Sequence, residues 1–352
     1  MYYCDKKVED LVRVFDQNRR AGYIRLDLNE NPEGLPQKFI DDVLKDITPQ
    51  LVSQYPETQG FTETLADFLG TDAAHVCLVN GSAEGIRYII QAFTSEGGRI
   101  VGVTPSYFMF QVYASMYGRN YVQIPYRLDL TMDVNDILKE MTEDTQLLIL
   151  LNPNNPMGNI YSNEEFEKIM VSAREKEVTV LIDEAYHYFY PETFIQYALG
   201  EEHIFITRTF SKLFSMAGCR LGYVVGWPKG IEIIKKMCTP HNTNMFALRL
   251  AQAALESPGL IDSLVKNFTD GRKWLIKALN THGYRHKGDA GNFVFILPKT
   301  NAKNIVSRMK TEKNILIKMY PNIGDFGDCL RVTIGNRKYM QLFVNALLEI
   351  DK

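Results

Sequence analysis

The stretch Arg208-Thr-Phe-Ser-Lys-Leu-Phe-Ser-Met-Ala-Gly-Cys-Arg-Leu-Gly-Tyr223 is the most informative part of this chain. It places Lys212 directly after Ser211 and a short distance before Arg220. A lysine amine can bond covalently with an aldehyde, and a hydroxyl together with a guanidinium can hold a phosphate. The alternative is that Ser-Lys begins an ordinary helix and that Arg220 is a surface charge. Taken alone, the stretch does not decide between the two.

Pyridoxal phosphate carries both an aldehyde and a phosphate, and its ring nitrogen pairs with an acid. Residues 178–182 form a β-branched apolar run of buried-strand type that ends in Asp183-Glu-Ala-Tyr186. Open α/β sheets bind ligands at the carboxyl ends of their strands. We therefore expect Asp183 to pair with the ring nitrogen and Tyr186 to hydrogen-bond the ring's phenolic oxygen. The alternative for Asp183 is a simple cap on the following segment.

Two further turns follow strand-like runs. Residues 146–151 lead into Asn152-Pro-Asn-Asn-Pro-Met-Gly158, where Asn155 is predicted to donate to the phenolic oxygen. Residues 76–79 lead into Asn80-Gly-Ser-Ala-Glu-Gly85 and then a helical apolar pattern. The backbone N–H groups of Ser82 and Ala83 at that helix start are predicted to bind the phosphate. Such turns are often only turns, and their position after strands is what favours a site.

An aromatic residue and an arginine complete the set of candidates. Tyr107 ends the run Val101-Gly-Val-Thr-Pro-Ser-Tyr107 and is predicted to stack on the pyridine, although a core or rim tyrosine is the commoner role. Arg331 lies within the apolar run Cys329-Leu-Arg-Val-Thr-Ile-Gly335, where a lone charge is costly. Its planar guanidinium suits the carboxylate of an amino or oxo acid. An internal salt bridge is the alternative.

Together these motifs resemble the fold-type I pyridoxal-phosphate enzymes, specifically the class I/II aminotransferases, and among them the histidinol-phosphate aminotransferase-like group. The resemblance implies that Lys212 bonds with the cofactor aldehyde and moves the substrate proton. It also implies that Tyr55 reaches the cofactor phosphate of the neighbouring subunit in a homodimer with shared active sites. The matching motifs are, in order, Asn29-Glu-Asn-Pro32, Tyr55-Pro-Glu57, the turn 81–84, Tyr107, Asn155, Asp183 with Tyr186, Ser211 with Lys212, Arg220 and Arg331.

The resemblance implies transamination, with glutamate as the expected donor and imidazole-acetol phosphate or another small oxo compound as acceptor. Arg331, Asn155 and Lys318 are the predicted substrate residues. Lys318 stands where the group commonly has a second arginine, so the point charge of an ammonium replaces the two-bond geometry of a guanidinium. Met157 also replaces the usual threonine. These departures from the family pattern leave the identity of the substrate undecided. The alternatives are a lyase resembling threonine-phosphate decarboxylase and a non-catalytic regulator, and the presence of Lys212 argues against the regulator.

Strands and helical patterns alternate along most of the chain. Such alternation predicts an α/β sheet covered on both faces, which the resemblance identifies as fold type I. We expect residues 41–243 to form a large cofactor-binding domain and 244–352 a smaller α/β domain with strands near 292–297, 314–319 and 329–334. The resemblance implies that residues 1–40 form an N-terminal arm that packs on the small domain. The seven strands expected in the large, mostly parallel sheet are 76–79, 99–103, 120–124, 146–151, 178–182, 203–207 and 221–225.

Composition excludes several classes of function. Lys and Arg number 39 against 42 Asp and Glu, giving a net charge of −3 and no basic cluster, so a nucleic-acid surface is not expected. The start of the chain lacks an apolar signal core and no apolar run has membrane-spanning length, so a soluble, cytoplasmic protein is expected. Five scattered cysteines suit reduced thiols, and the six histidines show no metal-type pairing.

Overall fold

The computed structural model describes residues 4–12 and 20–352, so parts of the predicted N-terminal arm, residues 1–3 and 13–19, lie outside the described residues. Its strands are β1 (Ile24–Arg25), β2 (Val76–Val79), β3 (Arg99–Thr104), β4 (Asn120–Pro125), β5 (Thr145–Leu151), β6 (Thr179–Asp183), β7 (Ile204–Thr209), β8 (Gly222–Gly226), β9 (His286–Lys287), β10 (Phe293–Ile296), β11 (Ile315–Leu316), β12 (Lys318–Ile323) and β13 (Gly327–Thr333).

The α-helices are α1 (Lys6–Glu9), α2 (Gln37–Leu44), α3 (Pro49–Ser53), α4 (Gln59–Leu69), α5 (Ser82–Ala92), α6 (Met109–Met116), α7 (Val134–Glu140), α8 (Asn163–Glu175), α9 (Ile195–Gly200), α10 (Pro228–Met237), α11 (Met245–Glu256), α12 (Leu260–Thr281), α13 (Ala302–Lys313) and α14 (Arg337–Ile350). None of the helices in the described part of the chain combines the length and apolar character needed to cross a bilayer.

Seven strands form the larger sheet in the order β2-β8-β7-β6-β5-β3-β4. β8 runs antiparallel to both of its neighbours, and the other pairings are parallel. The seven strands expected from the sequence are all present within one or two residues, so the prediction of a mostly parallel sheet is confirmed. The carboxyl ends of β2, β3, β5, β6 and β7 consequently lie at one edge of the sheet.

Strand β5 shows how both faces of this sheet are covered. Leu148 and Leu150 pack into one core cluster together with α8 and α11. Leu147 and Ile149 point the other way and pack with α5 and α10. Because successive side chains of a strand alternate between faces, a continuous apolar run is what a sheet buried on both sides requires.

The start of α8 agrees with the sequence pattern. Ser162 and Glu165 form a capping box in which each side chain accepts a hydrogen bond from the other residue's backbone N–H. The stripe of apolar residues that follows is buried against the sheet. The capping box therefore sets the helix start, and burial of the stripe fixes which face turns inward.

A smaller antiparallel sheet has the order β12-β13-β10-β9 and shares a core with α12, α13 and α14. The strands predicted near 292–297 and 329–334 are β10 and β13. The strand predicted at 314–319 is divided, because β11 pairs in parallel with β1 whereas β12 pairs with β13 and continues to Ile323. The pairing of β1 with β11 attaches the N-terminal segment beside the smaller sheet.

Candidate active site

A cavity of about 310 Å³ lies at the carboxyl edge of the larger sheet. Nine predicted site residues line it, together with residues that the sequence did not single out. Among the polar residues of the cavity, Asp183 is an acid, and Ser82, Ser211 and Arg220 form a group suited to binding a phosphate. The predicted residues in its lining are Ser82, Ala83, Tyr107, Asn155, Asp183, Tyr186, Ser211, Lys212 and Arg220.

Asp183 ends β6 and is 3% exposed. Its Oδ1 accepts hydrogen bonds from Thr207 Oγ1 on β7, at 3.0 Å, and from the backbone N–H of Ala185, at 3.2 Å. Burial raises the pKa of this carboxyl to about 7, and the two hydrogen bonds oppose the rise. A cationic partner in the cavity would offset the cost of ionising it.

Lys212 lies in the turn after β7. Its Nζ donates to the backbone oxygen of Leu28 at 3.0 Å and lies 5.7 Å from the centre of the Tyr186 ring. Burial and, after it, the nearby charge of Arg331 lower the pKa of this amine to about 8. The neutral, nucleophilic form of the amine is therefore accessible near neutral pH.

The residues suited to binding a phosphate lie around the start of α5. Gly81 has a left-handed φ of +78°, and a side chain there would overlap the Arg220 guanidinium. The glycine thus lets Arg220 approach the helix N-terminus that carries Ser82. Arg220 Nη1 donates to Ser211 Oγ at 3.4 Å, and Thr209 Oγ1 donates to the same oxygen at 2.9 Å. A helix N-terminus, a guanidinium and hydroxyls together suit a phosphate.

Arg331 is not part of the cavity lining but contacts the lining residue Asn155, and it is 3% exposed. Its Nη1 donates to Asn155 Oδ1 at 2.8 Å and to Tyr320 OH at 3.1 Å, and its Nη2 donates to the backbone oxygen of Asp27 at 2.5 Å. Its Nε is buried without a hydrogen-bond partner. No carboxylate of the described residues lies within 4.0 Å, so the described part of the chain offers no salt bridge to Arg331.

Tyr107 lines the cavity and meets Phe110 edge to face, with ring centres 5.5 Å apart. Burial raises the pKa of its phenol. The side chain is therefore a buried wall of the cavity, which is compatible with stacking on a ring bound there.

Besides Arg331, two predicted residues lie outside the cavity lining. Tyr55 is 77% exposed, and its ring stacks on His241 with centres 4.3 Å apart. Lys318 is the Cα partner of Arg331 across β12 and β13, so the two side chains leave the sheet on the same face. Met157, which stands in place of the usual threonine, is 1% exposed and packs in an apolar cluster with Phe295 and Cys329.

Sequence reasoning did not assign roles to several residues in and around the cavity. Leu28 and Glu30 enter its lining from the segment after β1, and Thr209 and Ala217 from the lysine segment. The sequence pattern identifies Asn29 only as part of a motif. A signal for Thr209 was present in its position at the carboxyl end of a predicted strand, whereas the contact of Leu28 uses only its backbone and leaves no trace in the sequence.

Comparison with known proteins gives the family. The model of the family "Aminotransferase class I and II" matches residues 21–347. This chain belongs to the class I and II aminotransferases. It is 30% identical over 331 residues to the histidinol-phosphate aminotransferase of Caldanaerobacter subterraneus subsp. tengcongensis, and the match covers 93% of this chain and 92% of that protein.

Solved structures agree with this placement of the aminotransferase. The histidinol-phosphate aminotransferase of Clostridium acetobutylicum superposes with a TM-score of 0.82 at 27% identity, covering 93% of this chain and 99% of that one. The fold also matches that of the Sinorhizobium meliloti histidinol-phosphate aminotransferase, solved in complex with pyridoxal-5'-phosphate, with a TM-score of 0.89 at 22% identity and coverage of 99% and 98%. The predicted family, fold type and aminotransferase activity are confirmed, and the enzyme depends on pyridoxal phosphate.

The residues present fit that cofactor. Burial raises the pKa of the Asp183 carboxyl, and a protonated pyridine nitrogen would supply a cation beside it. The Gly81 turn with Arg220 forms a phosphate cradle that a side chain would fill. Lys212 lies in the wall of the same cavity, together with both groups. When bound, pyridoxal phosphate supplies an aldehyde that bonds with amines and a ring that withdraws electrons from the substrate Cα.

Proposed function

We propose that this aminotransferase takes its amino group from glutamate and passes it to a phosphorylated oxo compound of the imidazole-acetol phosphate type. The relatives described above are histidinol-phosphate aminotransferases, which supports this choice. The observation that carries the proposal is the pairing of Arg331 with Lys318 across β13 and β12, beside the Asn155 edge of the cavity.

The first cation of this pair is suited to a carboxylate. Arg331 is buried, and its partners among the described residues are neutral oxygens. A buried guanidinium without a counter-ion is costly, so an anionic substrate stabilises it on binding. We assign Arg331 to the α-carboxylate of glutamate.

The second cation distinguishes substrates by their other end. Lys318 lies on the same face as Arg331 and is only partly buried. An ammonium binds a phosphate as a point charge and does not impose the two-bond geometry of a guanidinium. We assign Lys318 to the distal anion of the substrate, which is a phosphate or the second carboxylate of glutamate.

The cavity residues then divide the chemistry. Lys212 holds and moves the proton at the substrate Cα, and its lowered pKa makes the neutral amine available as the base. Asp183 would keep the ring nitrogen of the bound cofactor protonated. Among the other residues of the cavity lining, Tyr186 and Asn155 would orient the ring's phenolic oxygen, and Ser82, Ala83, Ser211 and Arg220 would hold the phosphate.

We also propose a homodimer in which Tyr55 reaches the phosphate of the partner's cofactor. Tyr55 is highly exposed and does not line the cavity of its own chain, which supports a contact made outside it. The proposed division is an N-terminal arm at 1–40, a large domain at 41–243 and a small domain at 244–352. Five cysteines without disulfide partners support a reducing, cytoplasmic location.

The test is a single-turnover measurement on the cofactor-loaded enzyme. Glutamate alone should give about one 2-oxoglutarate per active site, and adding imidazole-acetol phosphate should restore continuous turnover with formation of histidinol phosphate. A lyase would release carbon dioxide and no stoichiometric oxo acid. Production of 2-oxoglutarate with no use of the phosphorylated acceptor would leave the transaminase and refute the proposed substrate.

A further inference from the structure

Three consecutive residues after β1 bond to three residues of the site. Two of these bonds use backbone oxygens, which any amino acid could supply at those positions. The third uses a side chain, so only there does residue identity determine the contact. The pairs are Asp27 O with Arg331 Nη2 at 2.5 Å, Leu28 O with Lys212 Nζ at 3.0 Å, and Asn29 Nδ2 with Tyr186 OH at 2.9 Å.

Asn29 is held on every side. It is 1% exposed, its backbone N–H donates to Thr333 Oγ1 at 3.0 Å, and its backbone oxygen accepts from Asn292 Nδ2 at 3.1 Å. Thr333 Oγ1 in turn lies 3.4 Å from Asn29 Oδ1 and donates its proton there. Because Oδ1 faces Thr333, the amide nitrogen of Asn29 has to face Tyr186.

This orientation determines where the proton of Tyr186 points. A phenol has one proton to donate, and the oxygen of Tyr186 already accepts a hydrogen bond from Asn29. Its own proton is therefore directed elsewhere, and Tyr186 lines the cofactor cavity. We infer that Asn29 is a positioning residue that makes Tyr186 a hydrogen-bond donor into the cavity, toward the phenolic oxygen of the cofactor. This inference rests on the proposed role of Tyr186.

The backbone at Asn29 restricts which substitutions test the idea. Its φ is +58°, a left-handed value that Asn, Asp and Gly adopt more readily than other residues. Asn29→Asp keeps the shape of the side chain but replaces the amide donor with an acceptor. The new carboxylate therefore accepts the hydrogen bond that the Tyr186 hydroxyl donates. Asn29→Gly keeps the backbone and removes the side chain altogether.

The readout is the pH midpoint of the visible absorption band of the pyridoxal-phosphate-loaded protein without amino substrate. Loss of a hydrogen bond donated to a charged cofactor oxygen should raise this midpoint by about one pH unit. We expect that rise for Tyr186→Phe and for Asn29→Asp, and a smaller rise for Asn29→Gly. The other charged or titratable groups facing the Tyr186 phenol or ring are Asp183, Lys212, Arg331 and Tyr320, and all of them are unchanged in these variants.

Asn31→Asp is the matched control, because it adds the same charge two residues further along. Asn31 Nδ2 donates to Ser215 Oγ at 2.7 Å, and Asn31 does not line the cofactor cavity. Its midpoint should stay at the wild-type value. In the Tyr186→Phe background, Asn29→Asp should produce no further rise in the midpoint, because phenylalanine lacks the hydroxyl proton that Asn29→Asp redirects.

Three outcomes would overturn the inference. A full additional rise in the Tyr186→Phe background would mean that the new charge acts on the cofactor directly. Wild-type midpoints in both Asn29 variants, beside a shifted Tyr186→Phe, would show that Asn29 does not orient the phenol. An unshifted Tyr186→Phe would remove the proposed role of Tyr186 itself, and the role of Asn29 with it.

Discussion

Arg331 donates from Nη1 to Asn155 Oδ1 at 2.8 Å, and this bond joins the proposed substrate arginine on β13 to the turn after β5. Asn155 follows a strand of the larger sheet, whereas Arg331 lies in a strand of the smaller sheet. Since Oδ1 of Asn155 accepts from the guanidinium, its amide nitrogen is left to face the cavity that Asn155 lines. A carboxylate bound at Arg331 would therefore act on a residue that is also proposed to contact the cofactor.

Replacing Arg331 by Lys should reduce kcat/KM for glutamate by a factor equivalent to roughly 2 to 4 kcal/mol, the scale of truncating a buried charged pair. A lysine lacks the fork and also cannot bridge Asn155, Tyr320 and the Asp27 oxygen together. Steady-state kinetics would measure the change, with Arg174→Lys, an exposed partner of Glu201, as control. A loss of less than threefold would contradict the assignment.

Replacing Lys212 by Ala should abolish both turnover and the visible absorption that develops when pyridoxal phosphate is added to the cofactor-free protein. The amine of Lys212 is proposed to bond with the aldehyde, and no other lysine lines the cavity within the described residues. Lys318→Met serves as the matched lysine control and should retain the visible band. Wild-type turnover in the Lys212 variant would disprove its role.

The rate at which that band develops in the wild-type protein should rise with pH and level off above about 8. The sign follows from the lowered pKa of Lys212, because only the neutral amine attacks the aldehyde and its neutral fraction grows as pH passes the pKa. Stopped-flow absorbance between pH 6 and 10 would record it, keeping ionic strength constant. A rate still rising steeply toward pH 10 would indicate an ordinary lysine.

Replacing Asp183 by Asn should slow proton abstraction by at least ~10²-fold, by analogy with other positioned electrostatic groups. The cofactor-free variant should nevertheless be more stable than the wild type. The folded pKa of Asp183 is raised from 3.8 to about 7, so wild-type stability present at low pH is lost as pH rises through that window. Single-turnover kinetics and thermal unfolding at pH 5 and 8 would test both effects, and a pH-independent difference in Tm would contradict the second.

Replacing Tyr55 by Phe should weaken cofactor retention while leaving the fold and the dimer intact. The phenolic oxygen is assigned to the partner's phosphate, and the ring that stacks on His241 remains in the variant. Cofactor release during dialysis and sedimentation velocity would be compared with those of the wild type. A fully active monomer at assay concentration would refute the shared site.

Replacing Lys318 by Met should spare the cofactor spectrum and raise KM for phosphorylated or dicarboxylic substrates more than for short neutral amino acids. The long-range attraction of the ammonium for a distal anion is lost, whereas the α-carboxylate still meets Arg331. Parallel assays with histidinol phosphate, glutamate and alanine would show the difference. Unchanged kinetics with histidinol phosphate and glutamate would remove the main residue-level support for a phosphorylated substrate.

The sequence by itself determined the larger sheet and the residues at its carboxyl edge. Continuous β-branched and apolar runs are typical of strands buried on both faces, so they predict strands without knowledge of the neighbouring strands. Asp183, Asn155 and Lys212 each follow such a run within a few residues. Because parallel strands end at one edge, residues far apart in the chain could be expected to meet there.

Only the tertiary structure decided the contacts of the segment after β1 and the division of the smaller sheet. β1 and β11 are two residues long, and such short strands carry no periodicity. Leu28 and Asp27 act through backbone oxygens, which every residue possesses. Their side chains therefore do not predict the contacts with Lys212 and Arg331. Asn29 reaches Tyr186 only because β1 pairs beside the smaller sheet and Thr333 orients its amide. These contacts depend on how distant segments pack, which local sequence patterns do not encode.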